Sequence, residues 1–452
     1  MNKIFIILGF TMLSNISIAQ QNQKYNFTLE QAIDFALDSS YTAINARRDI
    51  AIAIKKKWET TAGGLPQLEA NISYQNNLKQ PTTLLPGEIA GGEAGSFVPI
   101  VFGTKQNATL GATLTQLIFD GSYLVGLQAA KTFLDYSENA EEKTQLEVRR
   151  GVINAYGSVL LSKELIEIFE LNKTNLEKNI FETRAFYENG FTEEESVEQL
   201  EITLINLETQ LKNSERTLII AKQMLNLALG IDVESELVLL DNLTSLTQQN
   251  ISLEFLEENI KIENNIDYKI ANNFTEQQIL KLKLEKSYSI PNLVAFVNYG
   301  TQANSDDFNF FNNDQKWYQS SIVGISMNIP ILSSGLRNAK TQQARIALEQ
   351  SETNLTEAYQ KVLLEINTAK NNYRFAIEIY NNNKKNLDLS ERVERKNEIK
   401  FLEGLATSFD LRTAQIQLYT AQQNYFEAML RVITTKADLE TVLNTPQLKA
   451  TN

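Results

Sequence analysis

The 452-residue sequence contains neither cysteine nor histidine. Without thiols there is no disulfide framework and no cysteine nucleophile, and without imidazole the usual zinc sites and Ser–His catalytic pairs are excluded. The formal net charge is −13, and no basic stripe with interleaved aromatic residues occurs, which argues against a nucleic-acid partner. A glycine-rich phosphate loop is also missing, so we expect no nucleotide-driven activity and no cofactor.

Long apolar runs are scarce as well. Lys3 precedes a short apolar segment at 4–13, and Ser17-Ile18-Ala19 is a small-x-small cleavage site, which together predict a signal peptide over residues 1–19. The apolar segment is shorter than the ~20 residues that an uncleaved anchor needs. We therefore expect an exported protein that, where it meets a membrane, spans it with β-strands.

One apolar stripe at heptad spacing occurs twice in the chain. Its first copy recurs in steps of three and four, and every member has an equivalent 214 positions later, as Leu200 has in Ala414. The first copy is Leu200, Leu204, Leu207, Leu211, Ser214, Leu218, Ala221, Leu225 and Ala228; the second is Ala414, Leu418, Ala421, Tyr425, Ala428, Val432, Thr435, Leu439 and Val442. The preceding helix repeats at the same offset, which indicates a duplicated long helical hairpin.

The duplication predicts two similar halves. The expected segments are a signal peptide at 1–19, a first repeat at 20–230, a linker at 231–252, a second repeat at 253–445 and a polar tail at 446–452. In each repeat we expect a helix, then a β-hairpin, then a long helical hairpin. The β-hairpins are predicted at 68–119 and 293–332, and the helical hairpins at 122–229 and 335–445.

Helix-capping residues, and the glycine and proline residues that end helices, predict where the shorter segments begin and end. Thr28 and Gln31 predict a capping box at the start of a helix that runs on to Gly63. The segment from Leu78 to Lys105 is rich in glycine and proline and is predicted to be a loop. A second helix is expected from about Leu253 to Ser289.

Four segments alternate between apolar and polar residues, as Leu68 to Tyr74 do. Each is about ten residues long, which crosses a bilayer when tilted. Four strands cannot close a barrel, for which about eight is the practical minimum, and lipid does not tolerate open sheet edges. Transmembrane strands would therefore have to be pooled by several copies, with aliphatic side chains towards lipid and polar ones towards a wet lumen. The alternative is two soluble β-hairpins half-buried on a helical body.

The order of these elements resembles the TolC family of outer-membrane efflux proteins over nearly the whole mature chain. The motifs that carry the resemblance are Leu65-Pro66 before the first strand, Phe119-Asp120-Gly121, Leu332-Ser333-Ser334-Gly335, the stretch from Phe401 to Gln415, and its first-half copy from Tyr187 to Gln199. The resemblance implies an α+β membrane protein: a homotrimer with a 12-stranded transmembrane β-barrel in the outer membrane and a tube of long helical hairpins in the periplasm.

The implied function is a passive channel, the exit duct of a tripartite efflux or type I secretion system that exports small molecules or polypeptides. Its implied partners are a periplasmic adaptor, an inner-membrane pump and outer-membrane lipid. An exported structural coiled coil or an adaptor-like periplasmic protein is the alternative. An adaptor would carry one hairpin between compact β-domains. An enzyme, such as a carboxylate-pair hydrolase, is disfavoured because no pair of acids stands apart from helical surface spacing.

The resemblance also assigns the turns of the helical hairpins to the closed periplasmic end. The family's aperture acid carries over onto Asp410, while a second acid would fall on Thr413. Their first-half equivalents are Ser196 and Gln199, and Ala406 stands where some relatives have a basic residue. This chain therefore departs from the inter-helix salt-bridge lock of its relatives.

Two further groups of residues lie at these turns. Glu193, Glu194 and Glu195 are expected to form an acidic girdle in an oligomer, or else to favour a helix N-terminus in the ordinary way. Gly190 and Gly404 are expected to need a positive φ. Together with Leu405 and Ala406, they are predicted to contact the adaptor.

Overall fold

The computed structural model describes residues 24–252, 256 and 261–444. The predicted signal peptide and polar tail lie outside the described residues, as do 253–255 and 257–260 of the helix predicted to begin at Leu253. The chain divides into two compact units. The helical unit comprises Met1–Arg47, Glu141–Ile266 and Gln360–Asn452, and the sheet unit comprises Arg48–Ala140 and Asp267–Tyr359.

The described residues form eight strands and eight α-helices. In chain order they are β1 (Tyr25–Phe27), α1 (Leu29–Ser39), α2 (Tyr41–Ala62), β2 (Gln67–Asn76), β3 (Thr82–Pro86), β4 (Phe97–Val101), β5 (Gln106–Phe119), α3 (Gly121–Glu188), α4 (Glu194–Leu229), β6 (Leu237–Leu239), α5 (Leu243–Gln249), α6 (Ile266–Ser287), β7 (Asn292–Ser305), β8 (Tyr318–Asn328), α7 (Leu336–Leu402) and α8 (Ser408–Leu443). None of the described helices is both long enough and apolar enough to cross a membrane.

The sheet unit contains a four-stranded antiparallel sheet in the order β2-β5-β7-β8. Its central pair joins β5 of the first repeat to β7 of the second, from Gln106 opposite Ser305 to Phe119 opposite Leu293. Within the described part of the chain, β2 pairs only with β5 and β8 only with β7, so both outer edges of the sheet are open.

The register gives this sheet one apolar and one polar face, because directly opposed residues point to the same side. The apolar face carries Leu68, Ala70, Ile72, Tyr74, Leu110, Leu114, Val297 and Val323. The polar face carries Glu69, Asn71, Ser73, Thr109, Thr113, Asn298, Gln302 and Ser320. The separation has exceptions: Leu117, Val294, Phe296, Tyr318 and Ile322 lie on the polar face, and Gln116, Thr301, Gln319 and Ser321 lie on the apolar face. A cavity of about 730 Å³ lies on the polar face, so the sheet curves around its polar side.

The loop predicted between Leu78 and Lys105 contains a second, two-stranded sheet, which corrects that prediction. Strands β3 and β4 pair from Thr82 opposite Val101 to Pro86 opposite Phe97. The glycines and prolines that suggested a loop lie largely at the turn and at the strand ends, where they are compatible with a β-hairpin.

The helical unit preserves the duplication at the level of helix ends. Helices α3 and α7 end at Glu188 and Leu402, which are 214 positions apart. The same offset separates the first residues of α4 and α8, and also their last residues. The caps correspond too: Gly230 after α4 has φ 78° and Asn444 after α8 has φ 55°. Both residues adopt the left-handed conformation that ends a helix and satisfies its last carbonyl groups.

The predicted heptad stripes line the contacts between the long helices. In the first hairpin, a buried cluster joins α3 and α4 and consists of Phe169, Leu176, Ile180, Val197, Leu200 and Leu207. In the second hairpin Leu411, Ala414, Leu418 and Ala421 of α8 are buried. Helix–helix contact is therefore stabilised mainly by apolar burial, at ~25 cal/mol per Å² of surface removed from water.

The predicted linker is structured. Strand β6 pairs in parallel with β1, and Asn242 caps α5 by accepting a hydrogen bond from the Ser245 N–H at 2.7 Å. The Asp241 carboxylate accepts the Leu29 N–H at 2.7 Å and the Tyr156 hydroxyl at 2.8 Å. Burial, reinforced by Asp241, raises the pKa of the Tyr156 hydroxyl well above its usual range. These bonds attach the linker to α1 and α3.

Two helix predictions need adjustment. The capping box at Thr28 and Gln31 is confirmed, with hydrogen bonds of 3.1 and 3.3 Å. The helix it starts breaks at Ser40, whose ψ is 142° and whose hydroxyl accepts the Ala43 N–H of the next helix. In the second repeat the corresponding helix begins only at Ile266, after a 3-10 helix at Ile262–Asn264.

The helix cap at Gly230 should tolerate a side chain far less well than the turn at Gly190. Both have positive φ, but a Cβ on Gly230 would lie 2.3 Å from the Ser39 carbonyl oxygen, whereas nothing lies within 4 Å of one on Gly190. We expect Gly190→Ala to cost about 1–2 kcal/mol for the left-handed backbone alone, and Gly230→Ala to cost clearly more. Thermal unfolding followed by circular dichroism measures the difference. Equal losses would contradict this account of the cap.

Candidate channel aperture

The two turns at which the long helices reverse direction have the same backbone design. At the first turn Gly190 has φ 75°, the Gly190 N–H donates to the Tyr187 carbonyl at 2.9 Å, and the Phe191 N–H donates to the Phe186 carbonyl at 2.9 Å. This is a Schellman motif, in which glycine accepts the left-handed conformation without steric cost.

The second turn repeats this pattern residue for residue. Gly404 has φ 74°, its N–H donates to the Phe401 carbonyl at 3.0 Å, and the Leu405 N–H donates to the Lys400 carbonyl at 2.7 Å. The sequence prediction of positive φ at both glycines is confirmed. No atom of the described residues lies within 4 Å of the Cβ that either glycine would carry. Backbone conformation rather than packing therefore selects glycine at both turns.

Each turn places a large apolar side chain in solvent directly after its glycine. Phe191 is 80% exposed and Leu405 is 73% exposed. Leu405 was a predicted contact residue, whereas sequence reasoning missed Phe191, although the 214-residue offset pairs it with Leu405. Ala406 is half-buried. Single exposed apolar side chains are common on protein surfaces; Phe191 and Leu405 share the same position in the two turns.

The two turns differ in how the next helix begins. At the second turn Thr407 and Asp410 form a capping box: the Thr407 hydroxyl accepts the Asp410 N–H at 3.2 Å, and the Asp410 carboxylate accepts the Thr407 N–H at 3.0 Å and its hydroxyl at 2.7 Å. At the first turn Glu193 is the N-cap and makes no capping hydrogen bond through its side chain. There the helix start depends on the acidic first turn.

Asp410, the predicted aperture acid, is therefore engaged with its own helix end. The Thr407 hydroxyl, then the Thr407 N–H, and to a smaller extent the charge of Lys400 hold the pKa of this carboxyl below its usual value. Among the described residues Asp410 forms no ion pair. Thr413 lies one turn further on, where its hydroxyl donates to the Phe409 carbonyl at 2.7 Å.

The predicted residues at the start of α4 form a separate local network. Glu193, Glu194 and Glu195 are exposed, and the Gln199 amide donates to the Glu195 carboxylate at 2.8 Å. Ser196 is buried and its hydroxyl lies 3.0 Å from that of Thr192. No described contact brings these residues to Asp410 or Thr413.

Ion pairs between α3 and α4 support the first turn. Lys173 lies 2.8 Å from Glu208, and Arg184 pairs with Glu201 nearer the turn. The hydrogen bond with Glu208 raises the pKa of the Lys173 ammonium and lowers that of the Glu208 carboxyl. The side chains of both pairs are partly exposed to solvent, so these pairs add to the stability of the hairpin only modestly.

Comparison with known proteins adds sequence and fold relationships. The sequence model of the outer membrane efflux protein family matches residues 281–445. The outer membrane protein TolC of Vibrio cholerae serotype O1 is 21% identical over 335 residues, which are 74% of this chain and 76% of that protein.

Solved structures share the fold. The crystal structure of the outer membrane protein VceC from Vibrio cholerae aligns with a TM-score of 0.71 at 16% identity, over 92% of this chain and 96% of VceC. That of CusC aligns with a TM-score of 0.73 at 17% identity, over 92% of each chain.

The capping box predicts a pH-dependent start of α8. Because the pKa of Asp410 is lowered on folding, its contribution is complete above the unfolded pKa and is lost as the pH falls through the folded value. We expect the protection of the first turn of α8 against hydrogen exchange, corrected for intrinsic rates, to be constant down to about pH 5 and to fall below about pH 4.

In Asp410→Asn this pH dependence should disappear. Thr413→Val is the matched control, because it removes a hydroxyl from the same surface but leaves the capping box intact, and it should keep the wild-type profile. Identical pH profiles for the wild type and Asp410→Asn would contradict the assignment.

Proposed function

We propose that this chain, an outer membrane efflux protein with the TolC-like fold, is the passive exit duct through which a tripartite efflux or type I secretion machine exports its cargo. The observation that carries the proposal is the four-stranded sheet with one apolar face, one polar concave face and two open edges. A sheet of this kind suits a bilayer only as part of a closed barrel, because lipid cannot hydrogen-bond the edge groups of β2 and β8.

Three copies close such a barrel. Each chain brings four strands, so a homotrimer has twelve, above the practical minimum of about eight. The apolar face then lies against lipid, and the polar face, with Asn71, Thr113 and Asn298, lines a water-filled lumen. The long helices of the same three chains form the periplasmic tube.

The helical turns at Gly190 and Gly404 form the periplasmic end of this duct. Their exposed apolar residues, Phe191 and Leu405, are the contacts for a periplasmic adaptor, and the energy for export comes from the inner-membrane pump behind it. Glu193, Glu194 and Glu195 contribute nine carboxylates in a trimer, which attract cations to the aperture. Asp410, Thr413, Ser196 and Gln199 are the other residues of this aperture.

The proposal predicts ion conduction by the purified protein. In mild detergent it should migrate as a heat-resistant oligomer and give threefold ring-shaped projections, and in a planar bilayer it should produce stepwise conductance. Substituting glutamine for Glu193, Glu194 and Glu195 together should shift the reversal potential in a KCl gradient towards lower cation preference. A monodisperse monomer that is stable without detergent and lacks affinity for lipid would overturn the duct.

The adaptor contacts predict weaker binding of the adaptor without a loss of conductance. Phe191→Asn combined with Leu405→Asn removes the apolar side chains but keeps both glycines and their backbone hydrogen bonds. We expect more than tenfold weaker capture of the adaptor, since apolar anchors dominate such interfaces, with unchanged conductance. Glu403→Gln, at the second turn, is the matched control and should retain capture. Wild-type capture by the double variant would exclude these side chains as the docking site.

A further inference from the structure

The β3–β4 hairpin presents an apolar face that no other described part of its own chain covers. Leu84 is 61% exposed, Phe97 is 64% exposed and Val101 is also exposed. The register places these side chains on one face, because Leu84 opposes Pro99, Pro86 opposes Phe97 and Thr82 opposes Val101. The sequence from Thr82 to Val101 contains only two charged residues, Glu88 and Glu93.

A hairpin of this kind needs a partner surface. Two strands alone are marginally stable in water, and β3 and β4 form a sheet separate from the four-stranded one. Pro86 and Pro99 remove a backbone donor from each strand, which discourages the addition of a further strand at either edge. The partner must therefore contact the apolar face.

The position of the hairpin in the sheet indicates where that partner lies. The hairpin is the next element after β2, an edge strand: β2 ends at Asn76 and β3 begins at Thr82. In the proposed trimer β2 pairs with β8 of a neighbouring copy. Strand β2 runs towards the end of the sheet that carries the β3–β4 hairpin and the loop at 306–317, and β8 runs away from that end. The two strands are therefore antiparallel, and Asn76 lies beside the start of the partner subunit's β8. The segment that precedes that β8 is the loop at 306–317.

This loop is fixed on its own sheet and still exposes an aromatic side chain. Phe308 packs edge-on against Tyr74 with ring centroids 5.5 Å apart, and the Lys105 N–H donates to the Asp306 carboxylate at 3.0 Å. Phe310 is buried beneath them, but Phe311 is 88% exposed. A preordered loop with an outward aromatic ring is a low-entropy docking surface.

We propose that the β3–β4 hairpin docks through Leu84, Phe97 and Val101 onto the partner subunit's Phe311 and so fastens neighbouring copies together at the outer end of the barrel. This inference rests on the proposed trimeric duct. The occupant is a second copy of this chain rather than lipid or another protein, because the hairpin emerges at the edge where two copies must meet.

Disulfide trapping tests the contact, since the chain has no cysteine of its own. We expect Phe97→Cys combined with Phe311→Cys to form a ladder of dimers and trimers on a non-reducing gel after mild oxidation in the membrane. Each single variant should remain monomeric on that gel. Ile89→Cys combined with Phe311→Cys is the matched control: Ile89 is also exposed but lies between β3 and β4, outside the paired residues of the two strands, and it should not cross-link.

Three results would overturn the proposal. Dimers from Phe97→Cys alone would mean that the hairpins meet each other. A double variant that shifts in mobility but forms no ladder would mean that the hairpin folds onto its own chain. The absence of any cross-link would mean that lipid or another protein, rather than a second copy of this chain, covers the apolar face of the hairpin.

A second measurement avoids cysteine. Replacing Leu84, Phe97 and Val101 with serine together should make the trimer dissociate in detergent about tenfold faster, because interface changes act mainly on dissociation rates, and Ile89→Ser should not. Assembled trimers should conduct as the wild type does. If the wild type neither assembles nor conducts, the duct itself fails. If it does both but the triple variant dissociates at the wild-type rate, only the contact at the hairpin fails.

Discussion

The backbone groups along the open edges of β2 and β8 impose the strongest constraint on this protein. Each unpaired N–H or C=O group costs several kcal/mol in lipid, far more than any side-chain contact in the sheet returns. Water would relieve the edges but not the apolar face that carries Leu68, Ile72 and Val323. In the proposed trimer, pairing between copies satisfies both, so the proposal makes assembly and insertion into the membrane depend on each other.

The duplication explains why a single chain supplies only part of the proposed barrel. The central strand pair of the sheet, β5 with β7, takes one strand from each repeat, so neither repeat completes even the four-stranded unit. The helices keep the 214-residue offset at their turns, whereas the first hairpin loop has gained β3 and β4. Extra residues are tolerated at a strand-to-strand loop because they leave the ladder unchanged. In a helical hairpin they would shift every apolar position out of register.

Much of the fold could be predicted because its signals are local and periodic. The heptad stripes, the strand alternation, the capping box at Thr28 and the glycine turns each depend on residues close in sequence. Pairing of β5 with β7 was not predictable, because it joins residues about 190 positions apart. The buried ion pair between Arg149 and Glu440, 2.6 Å apart with Lys436 beside it, was missed for the same reason, and so was the bond between Tyr156 and Asp241.

In the candidate aperture, too, the features that depend on neighbouring residues in the sequence were predictable and the others were not. Positive φ at Gly190 and Gly404 follows from the Schellman pattern alone, and the sequence Thr407-x-x-Asp410 contained a capping signal that could have been used. By contrast, the family pattern assigned Asp410 a role between helices. In this chain the Asp410 carboxylate instead accepts hydrogen bonds from Thr407, the N-cap of its own helix. A motif fixes the position of a carboxylate; the partners that surround it decide what the carboxylate does.

The two kinds of helical turn have a consequence for docking. The two turns have the same pattern of backbone hydrogen bonds, and each exposes one large apolar residue. The six turns of the proposed trimer would therefore offer an adaptor six similar apolar contacts. Their charges are not equivalent, because the helix after the first turn starts with the three exposed acids Glu193, Glu194 and Glu195, whereas the first turn of the helix after the second turn has one acid, Asp410, whose carboxylate is hydrogen-bonded to Thr407. In the proposed complex, apolar contact would supply affinity at every turn. Charge, which acts over about 8 Å at physiological salt, would distinguish alternate turns and so set the rotational register of the adaptor.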